Sequence, residues 1–350
     1  KLLTMGKCCV GLGHRRLAVI DLSPLGKQPM VSANGRYIIV YNGEIYNYPV
    51  LRLELQKRGV YTCGSSDTEV LLESIAQWGL QKTLQKIIGM FAFAVWDSEK
   101  QLFHLARDRM GEKPLYYGWC GNTFMFGSEL KAMEQHPSWR GETDRGAVRL
   151  LLRHLYIPAP YSIYHGIYKL LPGTSLSVPL GINHTQDLEP RPYWSLLDTV
   201  RLGNKNSFLG SETEAIDEME KLLLDIVAGQ LISDVPLGAF LSGGYDSSLI
   251  TALMQARSTE PVQTFSIGFT ESAYDEAPQA AAVARHLGTE HKEYYISSAE
   301  AMEMIPKLPH IYDEPFADYS QIPTCLLCAM ARRDVTVALT GDGGDELMRG

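Results

Sequence analysis

Short runs of apolar residues recur through the first half of the chain, to about Trp194, with turn residues between them. Such runs predict strands that pair in antiparallel hairpins. They are RLAVID at 16–21, YIIVY at 37–41, MFAFAVW at 90–96, LFHLA at 102–106 and TFMFG at 123–127. Two segments with helical spacing interrupt the strand pattern, one at about 48–58 and one that begins at Asp67. We therefore expect an α+β amino-terminal domain of antiparallel sheets with helices.

The pattern changes after a stretch rich in proline and glycine at 158–194 and a polar stretch at 203–207. Beyond it, segments with helical spacing alternate with short apolar runs. The helical segments lie at 216–227, from 247 onward and at 275–287, and the apolar runs lie at 235–241, 262–269, 293–296 and 335–339. This alternation predicts an α/β doubly wound parallel sheet. We expect one domain at 1–195 and a second at 210–350.

The segment FLSGGYDSS at 240–248 follows a predicted strand and leads into a predicted helix. Consecutive glycines allow a sharp turn close to a ligand, and hydroxyl groups join free amides at the helix start. The residues concerned are Ser242, Gly243, Gly244, Ser247 and Ser248. The arrangement suits a phosphate, with a divalent cation between the phosphate and Asp246. The alternative is a helix cap of Ser and Asp after a flexible turn.

A second glycine turn, TGDGGDE at 340–346, follows the predicted strand at 335–339. Ligands of open parallel sheets lie at the carboxyl ends of the strands, so both turns should face one crevice. Four carboxylates would meet there, those of Asp246, Asp342, Asp345 and Glu346. Oxygen ligands of this kind suit Mg2+ that holds a pyrophosphate. The alternative is that Asp and Gly only make tight turns.

Composition narrows the choice of partners. The net charge of −8, without a block of Lys or Arg, argues against nucleic acid as the main partner. No apolar run is long enough to span a bilayer, and the start of the chain is too short for a signal peptide. Six cysteines are too few for a disulfide framework in 350 residues. We therefore expect a cytoplasmic protein with no membrane partner.

The first half carries candidate chemistry of its own. The segment NGEIYN at 42–47 combines an amide, a glycine turn and a carboxylate after the strand at 37–41. Taken alone, an Asn-Gly turn explains this segment. Arg16, Asp67 and Asp108, taken singly, each fit a solvated surface charge.

The two glycine turns together resemble the ATP-pyrophosphatase signature of glutamine-dependent asparagine synthetases, an adenine nucleotide alpha hydrolase-like domain. Tyr245 stands where the family usually has Leu or Ile, and Met348 where it often has Phe. Neither position carries a phosphate or metal ligand. The first half resembles class II glutamine amidotransferase domains, whose fold is Ntn-hydrolase-like. That resemblance rests on the segments at 13–21, 28–30, 42–47, 66–69, 89–93 and 107–116.

The resemblance implies a glutamine site in the first half. Arg16 would bind the glutamine carboxylate, a task that suits a planar fork of donors. Asn42 and Gly43 would help to form the oxyanion hole. Glu44 would bind the substrate glutamine, and Asp67 would take its amino group.

The resemblance also implies an ATP site in the second half. Leu241 and Ile267 would flank the adenosine, and the turn at 242–248 would bind the pyrophosphate. Thr340 and Gly341 would contact AMP. The ligands of the metal and pyrophosphate would be Asp246, Asp345 and Glu346.

Two further assignments follow from the same resemblance. The segment EPFADYS at 314–320 matches a family stretch near the β-aspartyl end of the crevice, which makes Asp318 and Ser320 candidates for contact with substrate or metal. The alternative is that Pro315 and Asp318 only shape a loop before the helix at Pro323. Asp342 would manage protons as ammonia attacks.

The implied enzyme is a carbon–nitrogen ligase that uses glutamine, aspartate and ATP, with Mg2+ as cofactor. Glutamine is hydrolysed in the first domain, and ammonia attacks an aspartyl adenylate in the second. A homodimer is the family expectation. The family's nucleophilic cysteine at the amino terminus and its HRGPD segment have no counterpart in this chain, which starts at Lys1 and stops at Gly350. We therefore expect that residues are missing at both ends.

Two other functions stay open. A related amidotransferase could use the same adenylation chemistry on another carboxylate, such as a sugar acid or an amino-acid derivative that closes to a lactam. The second alternative is a non-enzymatic role as an inactive fold or an interaction module. A fragment without glutaminase activity also stays open. The intact SGG-x-DSS segment argues against decay of the ATP site.

Overall fold

The computed structural model describes residues 2–5, 8–181, 188–269 and 275–348. Contacts divide the chain into two compact units. Unit 1 comprises Lys1–Ser207 and Tyr312–Ala317, and unit 2 comprises Phe208–Ile311 and Asp318–Gly350. The domain limits at 1–195 and 210–350 stay a prediction. The predicted second domain includes Tyr312–Ala317, which the contacts assign to unit 1.

Unit 1 is built on antiparallel strands. They are β1 (Leu2–Met5), β2 (Cys8–Gly11), β3 (Met30–Val31), β4 (Tyr37–Ile45), β5 (Gly89–Asp97), β6 (Leu102–Arg107), β7 (Tyr116–Cys120), β8 (Thr123–Gly127), β9 (Ile167–Lys169), β10 (Thr174–Pro179) and β11 (Arg191–Pro192). Six form a sheet in the order β11-β10-β6-β5-β4-β3, three form a sheet in the order β8-β7-β9, and β1 pairs with β2. The predicted α+β class of this half is confirmed.

The pair β4–β5 forms the centre of the larger sheet. Its register runs from Tyr37 opposite Asp97 to Ile45 opposite Gly89. Every residue of β5 from Phe91 to Asp97 is buried, so both faces of this strand are covered. That double burial explains why the run at 90–96 is continuously apolar rather than alternating.

The helices of unit 1 are α1 (Tyr48–Gln56), α2 (Asp67–Trp78), α3 (Leu80–Lys86), α4 (Leu130–Glu134), α5 (Arg145–His154) and α6 (Leu196–Lys205). Helix α2 begins at the predicted residue because the Ser66 side chain accepts a hydrogen bond from the Glu69 amide at 3.4 Å. Asp67 and Glu69 in its first turn also favour this start, since carboxylates interact well with the positive end of a helix. The helix contacts β4, which places Asp67 next to that strand.

Two predictions of local structure were wrong. Residues 16–21 do not form the predicted strand. Instead, Arg16 Nη2 donates to the carbonyl oxygens of Ile20 and Asp21, both at 2.7 Å, so the guanidinium group and not a neighbouring strand satisfies these two acceptors. The segment NGE does not form a turn after a strand, because residues 42–44 belong to β4 itself.

Unit 2 holds a parallel sheet of four strands, β12 (Leu237–Phe240), β13 (Gln263–Phe269), β14 (Glu290–Ile296) and β15 (Val337–Leu339), in the order β14-β13-β12-β15. Its helices are α7 (Glu212–Gln230), α8 (Tyr245–Arg257), α9 (Ala277–Leu287), α10 (Ser298–Met304), α11 (Leu308–Ile311), α12 (Gln321–Ala331) and α13 (Gly344–Met348), with a 3-10 helix at Ile305–Lys307. The predicted parallel α/β class is confirmed.

Helices cover both faces of this sheet. Ala239 packs with Val227 of α7 and Leu253 of α8. Phe240, the next residue of β12, points to the opposite face and packs in the cluster of Met330 from α12. Because successive strand residues face opposite sides, these contacts place α7 and α8 on one face and α12 on the other.

The spacing of apolar residues at 216–227 correctly predicted a helix, but that helix buries few of its apolar side chains. Helix α7 has a complete capping box in which Ser211 and Glu214 bond reciprocally, and Val227 is its buried residue. Its other apolar residues include four that are exposed, Ile216, Met219, Leu222 and Ile226. None of the helices in the described ranges combines the length and apolarity that crossing a membrane requires.

Candidate functional site

The first glycine turn lies at the carboxyl end of β12 and is closed by its own serines. The Ser242 amide donates to Ser247 Oγ at 3.2 Å, and the two hydroxyl oxygens lie 2.9 Å apart. The Gly244 amide donates to Ser242 Oγ at 3.3 Å. These bonds hold the turn in a compact loop that leads into α8, where Asp246 lies in the first turn. Tyr245 beside it is 92% exposed, so a tyrosine in place of the Leu or Ile that is usual in the family does not have to fit into a core.

Gly243 is required by the approach of α9. Its φ is +82°, and an added Cβ would lie 2.8 Å from the Ala280 amide nitrogen. The side chain of Gln279 donates to the Gly243 carbonyl oxygen at 3.0 Å and so ties the turn to this helix. Gln279 was missed by the sequence reasoning because a glutamine in a helical segment gives no signal of its contact 36 residues away.

The second glycine turn packs directly against the first, because β15 is the parallel neighbour of β12. A Cβ added to Gly341 would lie 2.6 Å from the Ser247 amide nitrogen. A Cβ added to Gly344 would lie 2.4 Å from Asp246 Cγ. The structure therefore brings the two turns together at the carboxyl ends of adjacent strands, and the glycines there allow main chain and carboxylate to meet.

The acidic residues of the second turn are exposed. Asp342 Oδ2 accepts a hydrogen bond from Thr340 Oγ1 at 2.9 Å, and Asp345 and Glu346 lie in the first turn of α13. Among the described residues, no three His, Cys, Asp or Glu side chains are grouped so that they could hold a metal ion by themselves. Mg2+ in nucleotide sites is usually bound by one or two carboxylates together with phosphates and water. Asp246, whose carboxylate lies against Gly344 of the second turn, is a donor of the kind that this shared mode uses.

Three other predicted ATP contacts differ in environment. Ser248 Oγ is buried and has no hydrogen-bond partner in the described part of the chain, so it is a donor that a ligand oxygen would satisfy. Leu241 is buried with Ala280 and Ala284 of α9, and its amide donates to the Phe265 carbonyl oxygen at 2.9 Å. Ile267 is half-buried on β13.

Asp318 and Ser320 lie in the exposed loop before α12. The Ser320 amide donates to Asp318 Oδ1 at 2.7 Å. This is the loop-shaping contact that the alternative interpretation expects.

The predicted glutamine residues lie in unit 1, around the end of β4 and the start of α2. The guanidinium group of Arg16 rests against Gly26, where an added Cβ would lie 2.3 Å from Nη2. Asp67 Oδ2 accepts hydrogen bonds from the Tyr41 hydroxyl at 2.7 Å and from the Ile45 amide at 3.0 Å. Arg16 and Asp67 therefore have structural contacts in addition to any with a ligand.

Electrostatics link these residues to each other. Burial raises the pKa of the Asp67 carboxyl, although hydrogen bonds from Tyr41 and Ile45 and the positive charge of Arg16 oppose the shift. Burial also raises the pKa of Glu44, and repulsion by Asp67 adds to it. An ammonium group between two such carboxylates would stabilise their charged forms. A cation at Arg16 and paired carboxylates nearby match the opposite charges of an α-amino acid.

Asn42 and Gly43 lie in β4 at its contact with β5. A Cβ added to Gly43 would lie 2.1 Å from the Met90 carbonyl oxygen, so the close approach of the two strands requires glycine here. Asn42 Nδ2 donates to Ser128 Oγ at 3.2 Å. Ser128, which fixes the orientation of this amide, was also missed by the sequence reasoning.

The two halves of the chain match two family models. Residues 3–194 match the glutamine amidotransferase domain, and residues 218–350 match asparagine synthase. A provisionally named glutamine-hydrolysing asparagine synthetase of Methanocaldococcus jannaschii is 40% identical over 97% of this chain and 67% of its own length. The chain belongs to the glutamine-hydrolysing asparagine synthetase family. Members of this family are carbon–nitrogen ligases, the class of enzyme that the sequence predicted.

Further relatives include another asparagine synthetase and a protein named as an amidase. Glutamine-hydrolysing asparagine synthetase 1 of Bacillus subtilis is 35% identical over 97% of this chain and 52% of its own length. An amidase of Gibberella zeae is 30% identical over 96% of this chain and 50% of its own length. The chain thus spans about half to two thirds of the length of these relatives.

Proposed function

We propose that the protein catalyses the ATP-dependent amidation of L-aspartate to L-asparagine, with ammonia from glutamine. The reaction would pass through a β-aspartyl-AMP intermediate and release AMP, pyrophosphate and glutamate. The observation that carries this proposal is the contact of the two glycine turns, where Asp246 meets Gly344 in a chain of the asparagine synthetase family. The proposal places the protein in the cytoplasm, where these substrates occur, as a homodimer.

The ATP site of the proposal uses the groups at the carboxyl ends of β12 and β15. The turn at 242–248 would bind the pyrophosphate with its amides and hydroxyls. The unpartnered hydroxyl of Ser248 supports this role, because a phosphate oxygen would supply the acceptor that it lacks. Leu241 and Ile267 would flank the adenosine, with Thr340 and Gly341 next to AMP.

Mg2+ is part of this proposal. Asp246, Asp345 and Glu346 would hold the ion together with phosphate oxygens, since oxygen donors suit this cation. When bound, Mg2+ would neutralise charge on the triphosphate as pyrophosphate leaves. The protein's own contribution is to orient these carboxylates, and Gly344 allows the Asp246 carboxylate to lie against the second turn.

The chemistry explains why ATP is needed. A carboxylate is a poor electrophile, so an aspartate oxygen first attacks the α-phosphorus of ATP and pyrophosphate leaves. Ammonia then attacks the carbonyl carbon of the mixed anhydride, the bond to the AMP oxygen breaks, and the nitrogen loses a proton. We assign the uptake of that proton to Asp342, whose carboxylate is exposed and oriented by Thr340. Asp318 and Ser320 are the proposed contacts for the acceptor carboxylate.

The glutamine site of the proposal lies in unit 1. Arg16 would bind the glutamine carboxylate, and Asp67 with Glu44 would bind the amino group. Asn42 and Gly43 would stabilise the oxyanion formed as the amide carbon is attacked. The electrostatic coupling of Arg16, Asp67 and Glu44 supports this assignment.

A second candidate is an amidotransferase that adenylates a different carboxylate. The similarity to an amidase of Gibberella zeae favours keeping it, because a relative with a different name matches 96% of this chain. Its phosphate and metal contacts would be the same as those above. Only the acceptor separates the two proposals.

The test is pyrophosphate release with ATP, Mg2+ and ammonia across a panel of carboxylates that includes aspartate. Ammonia replaces glutamine, so the outcome does not depend on the glutaminase half. Release with aspartate, accompanied by asparagine, would support the proposal. Asp246→Asn and Ser248→Ala should each lower the rate, Asp246→Asn by about a hundredfold. If pyrophosphate were released only with another acid, that acid and not aspartate would be the acceptor.

The glutaminase step is tested apart from synthesis. Glutamate release from glutamine, measured with and without ATP and aspartate, should occur only in a protein that also carries the family's nucleophilic cysteine at its amino terminus, which has no counterpart in residues 1–350. Its absence alongside active ammonia-dependent synthesis would favour the alternative of a chain without glutaminase activity.

A further inference from the structure

A six-residue segment, Tyr312–Ala317, belongs to unit 1 although the residues on both sides of it belong to unit 2. We call it the anchor segment. It contains the first half of the EPFADYS stretch, and it ends one residue before Asp318. The sequence resemblance assigned this stretch to the substrate crevice as a whole. The contacts of its first residues indicate a different task.

Asp313 binds the start of α4. Its Oδ2 accepts a hydrogen bond from the Leu130 amide at 2.6 Å, and its Oδ1 pairs with Lys131 Nζ at 3.1 Å. The residue at the N-cap of α4, Glu129, makes no side-chain capping bond. Asp313 therefore supplies the cap of this helix from 183 residues further along the chain.

Glu314 makes a denser set of contacts. Its Oε1 accepts a hydrogen bond from the Ile163 amide at 2.6 Å, and its Oε2 pairs with Lys169 Nζ at 2.5 Å. The Tyr116 hydroxyl donates to the same Oε2 at 3.3 Å. Burial and the charge of Glu314 raise the pKa of Tyr116, which keeps this hydroxyl a donor.

The end of the anchor segment is also fixed. The Ala317 amide donates to the Leu155 carbonyl oxygen at 2.7 Å. The rings of Tyr312 and Phe316 pack edge to face with centroids 4.8 Å apart, so the segment is internally braced as well. Bonds to unit 1 thus occur at Asp313, Glu314 and Ala317, which fixes the backbone up to the residue before Asp318.

The two carboxylates are too well buried to be solvated surface charges. The side chains of Asp313 and Glu314 are each 10% exposed, and each combines a lysine with a main-chain amide. Burying a carboxylate is unfavourable unless charge and hydrogen bonds compensate it. Both oxygens of Glu314 are used in this way, so its carboxylate is held by groups of unit 1.

We propose that Asp313 and Glu314 are positioning residues that hold the backbone before Asp318 and Ser320 and so set the binding of the carboxylate acceptor. The inference rests on the proposed function, in which Asp318 and Ser320 contact that acceptor. It assigns to the bonds of Asp313 and Glu314 an indirect influence on acceptor binding, through the backbone of the anchor segment. The ATP contacts lie on other strands, so ATP binding should be independent of the anchor.

The test compares Glu314→Ala and Glu314→Gln in ammonia-dependent synthesis. Glu314→Ala removes the acceptor for Ile163 and the partner of Lys169, and should raise the KM for the acceptor about tenfold with the KM for ATP unchanged. Glu314→Gln keeps an oxygen for the Ile163 amide, so its KM should lie between those of the alanine variant and the wild type. Glu129→Gln is the matched control, because this carboxylate also pairs with Lys131 but is 59% exposed.

Hydrogen exchange of the full chain provides a readout that does not depend on activity. Amides at 318–320 should exchange faster in Glu314→Ala than in the wild type, and faster than in Glu129→Gln. Unchanged exchange there, or an acceptor KM that stays at the wild-type value in an active Glu314→Ala enzyme, would overturn the inference. An inactive wild type would instead count against the proposed function, and the exchange data would still decide the role of the anchor segment.

Discussion

The carboxylate of Asp246 lies against the main chain at Gly344, where an added Cβ would be 2.4 Å from Asp246 Cγ. We predict that Gly344→Ala displaces this carboxylate without unfolding the protein, because a short side chain can rotate away. The catalytic efficiency for ATP should fall about tenfold or more, since small misplacements of a reacting group are costly. Steady-state kinetics with ammonia measures this, and an unchanged efficiency would contradict it.

Two glycine variants serve as comparisons for this prediction. Gly341→Ala would place a Cβ 2.6 Å from the Ser247 amide nitrogen, which belongs to the main chain and cannot rotate away. We expect it to lower the free energy of unfolding by about 1–3 kcal/mol in addition to the loss of activity. Gly203→Ala, in α6 with nothing within 4 Å of the added Cβ, should leave activity unchanged.

A second prediction concerns the contact of Gly26 with Arg16. In Gly26→Ala the added Cβ would lie 2.3 Å from Arg16 Nη2 and would push the guanidinium group from the carbonyl oxygens of Ile20 and Asp21. We expect unfolding to become easier by about 1–3 kcal/mol, the range for hydrogen bonds of a charged donor. Glutamine affinity, measured by calorimetry, should fall about tenfold.

Gly13→Ala is the matched control for that variant. It lies in the same segment, and nothing lies within 4 Å of its added Cβ. If both variants bound glutamine as the wild type does, Arg16 would not be a glutamine ligand.

A third prediction follows from the raised pKa of Asp67. A carboxyl whose pKa is raised by folding adds stability in its protonated form, and this contribution is lost as pH rises through the folded-state pKa. Above that pKa the carboxylate is charged and buried, and the contribution of the protonated form is absent. Asp67→Asn should melt at a temperature equal to or above that of the wild type at pH 7.5, and the wild type should gain relative to it as the pH falls toward 4.

The same substitution should act in the opposite sense on glutamine binding. An amide at residue 67 cannot neutralise an ammonium group, so glutamine affinity should fall by about 2 kcal/mol or more. Melting curves and calorimetry on one pair of samples measure both effects. A variant that binds glutamine normally would falsify the proposed role of Asp67.

A fourth prediction concerns His291 on β14. Its Nδ1 lies 2.9 Å from Thr264 Oγ1 and its Nε2 lies 3.2 Å from Ser266 Oγ. Burial lowers the pKa of this imidazole, although the charge of Glu293 opposes the shift. The unfolded chain therefore binds a proton more tightly than the folded one near pH 6, and the free energy of unfolding falls as pH drops below about 6.5.

The substitution His291→Gln isolates this effect. Its side chain can still bond to a hydroxyl but does not titrate, so the decline in stability between pH 7.5 and 5.5 should be shallower than in the wild type. Denaturant unfolding at a series of pH values gives the comparison. Parallel curves for the two proteins would assign the decline to other groups.

The parts of the fold that sequence predicted are those with a local cause. The runs at 37–41 and 90–96, which lie within β4 and β5, were detected because their apolar residues are consecutive, and α2 because Ser66 and Glu69 lie at its start. The meeting of the two glycine turns followed from the rule for parallel strand ends. The irregular course of residues 16–21 could not be predicted, because its apolar run has the pattern of a strand. The bonds of Arg16 Nη2 to the carbonyl oxygens of Ile20 and Asp21 replace strand pairing there.

The missed residues of the candidate sites share one property. Gln279, Ser128 and Glu314 act across 36, 86 and 151 residues of sequence respectively. Gln279 and Ser128 are of ordinary types in ordinary local settings, so no spacing or motif marks them. Glu314 lies in the EPFADYS segment, but that segment does not show which distant groups its carboxylate binds. The continuation of β4 through Asn42 to Glu44 was missed for a related reason. It depends on the close approach of the β5 backbone at Met90, for which residue 43 must be glycine.

The discontinuity of unit 1 also has a consequence for synthesis on the ribosome. Residues 208–311 are translated before the anchor segment appears. Until then, the amides of Leu130 and Ile163 and the ammonium group of Lys169 lack the carboxylates that bind them in the finished protein. Because chains fold from the amino terminus as they emerge, the first unit to begin folding is completed only after most of the second has been made.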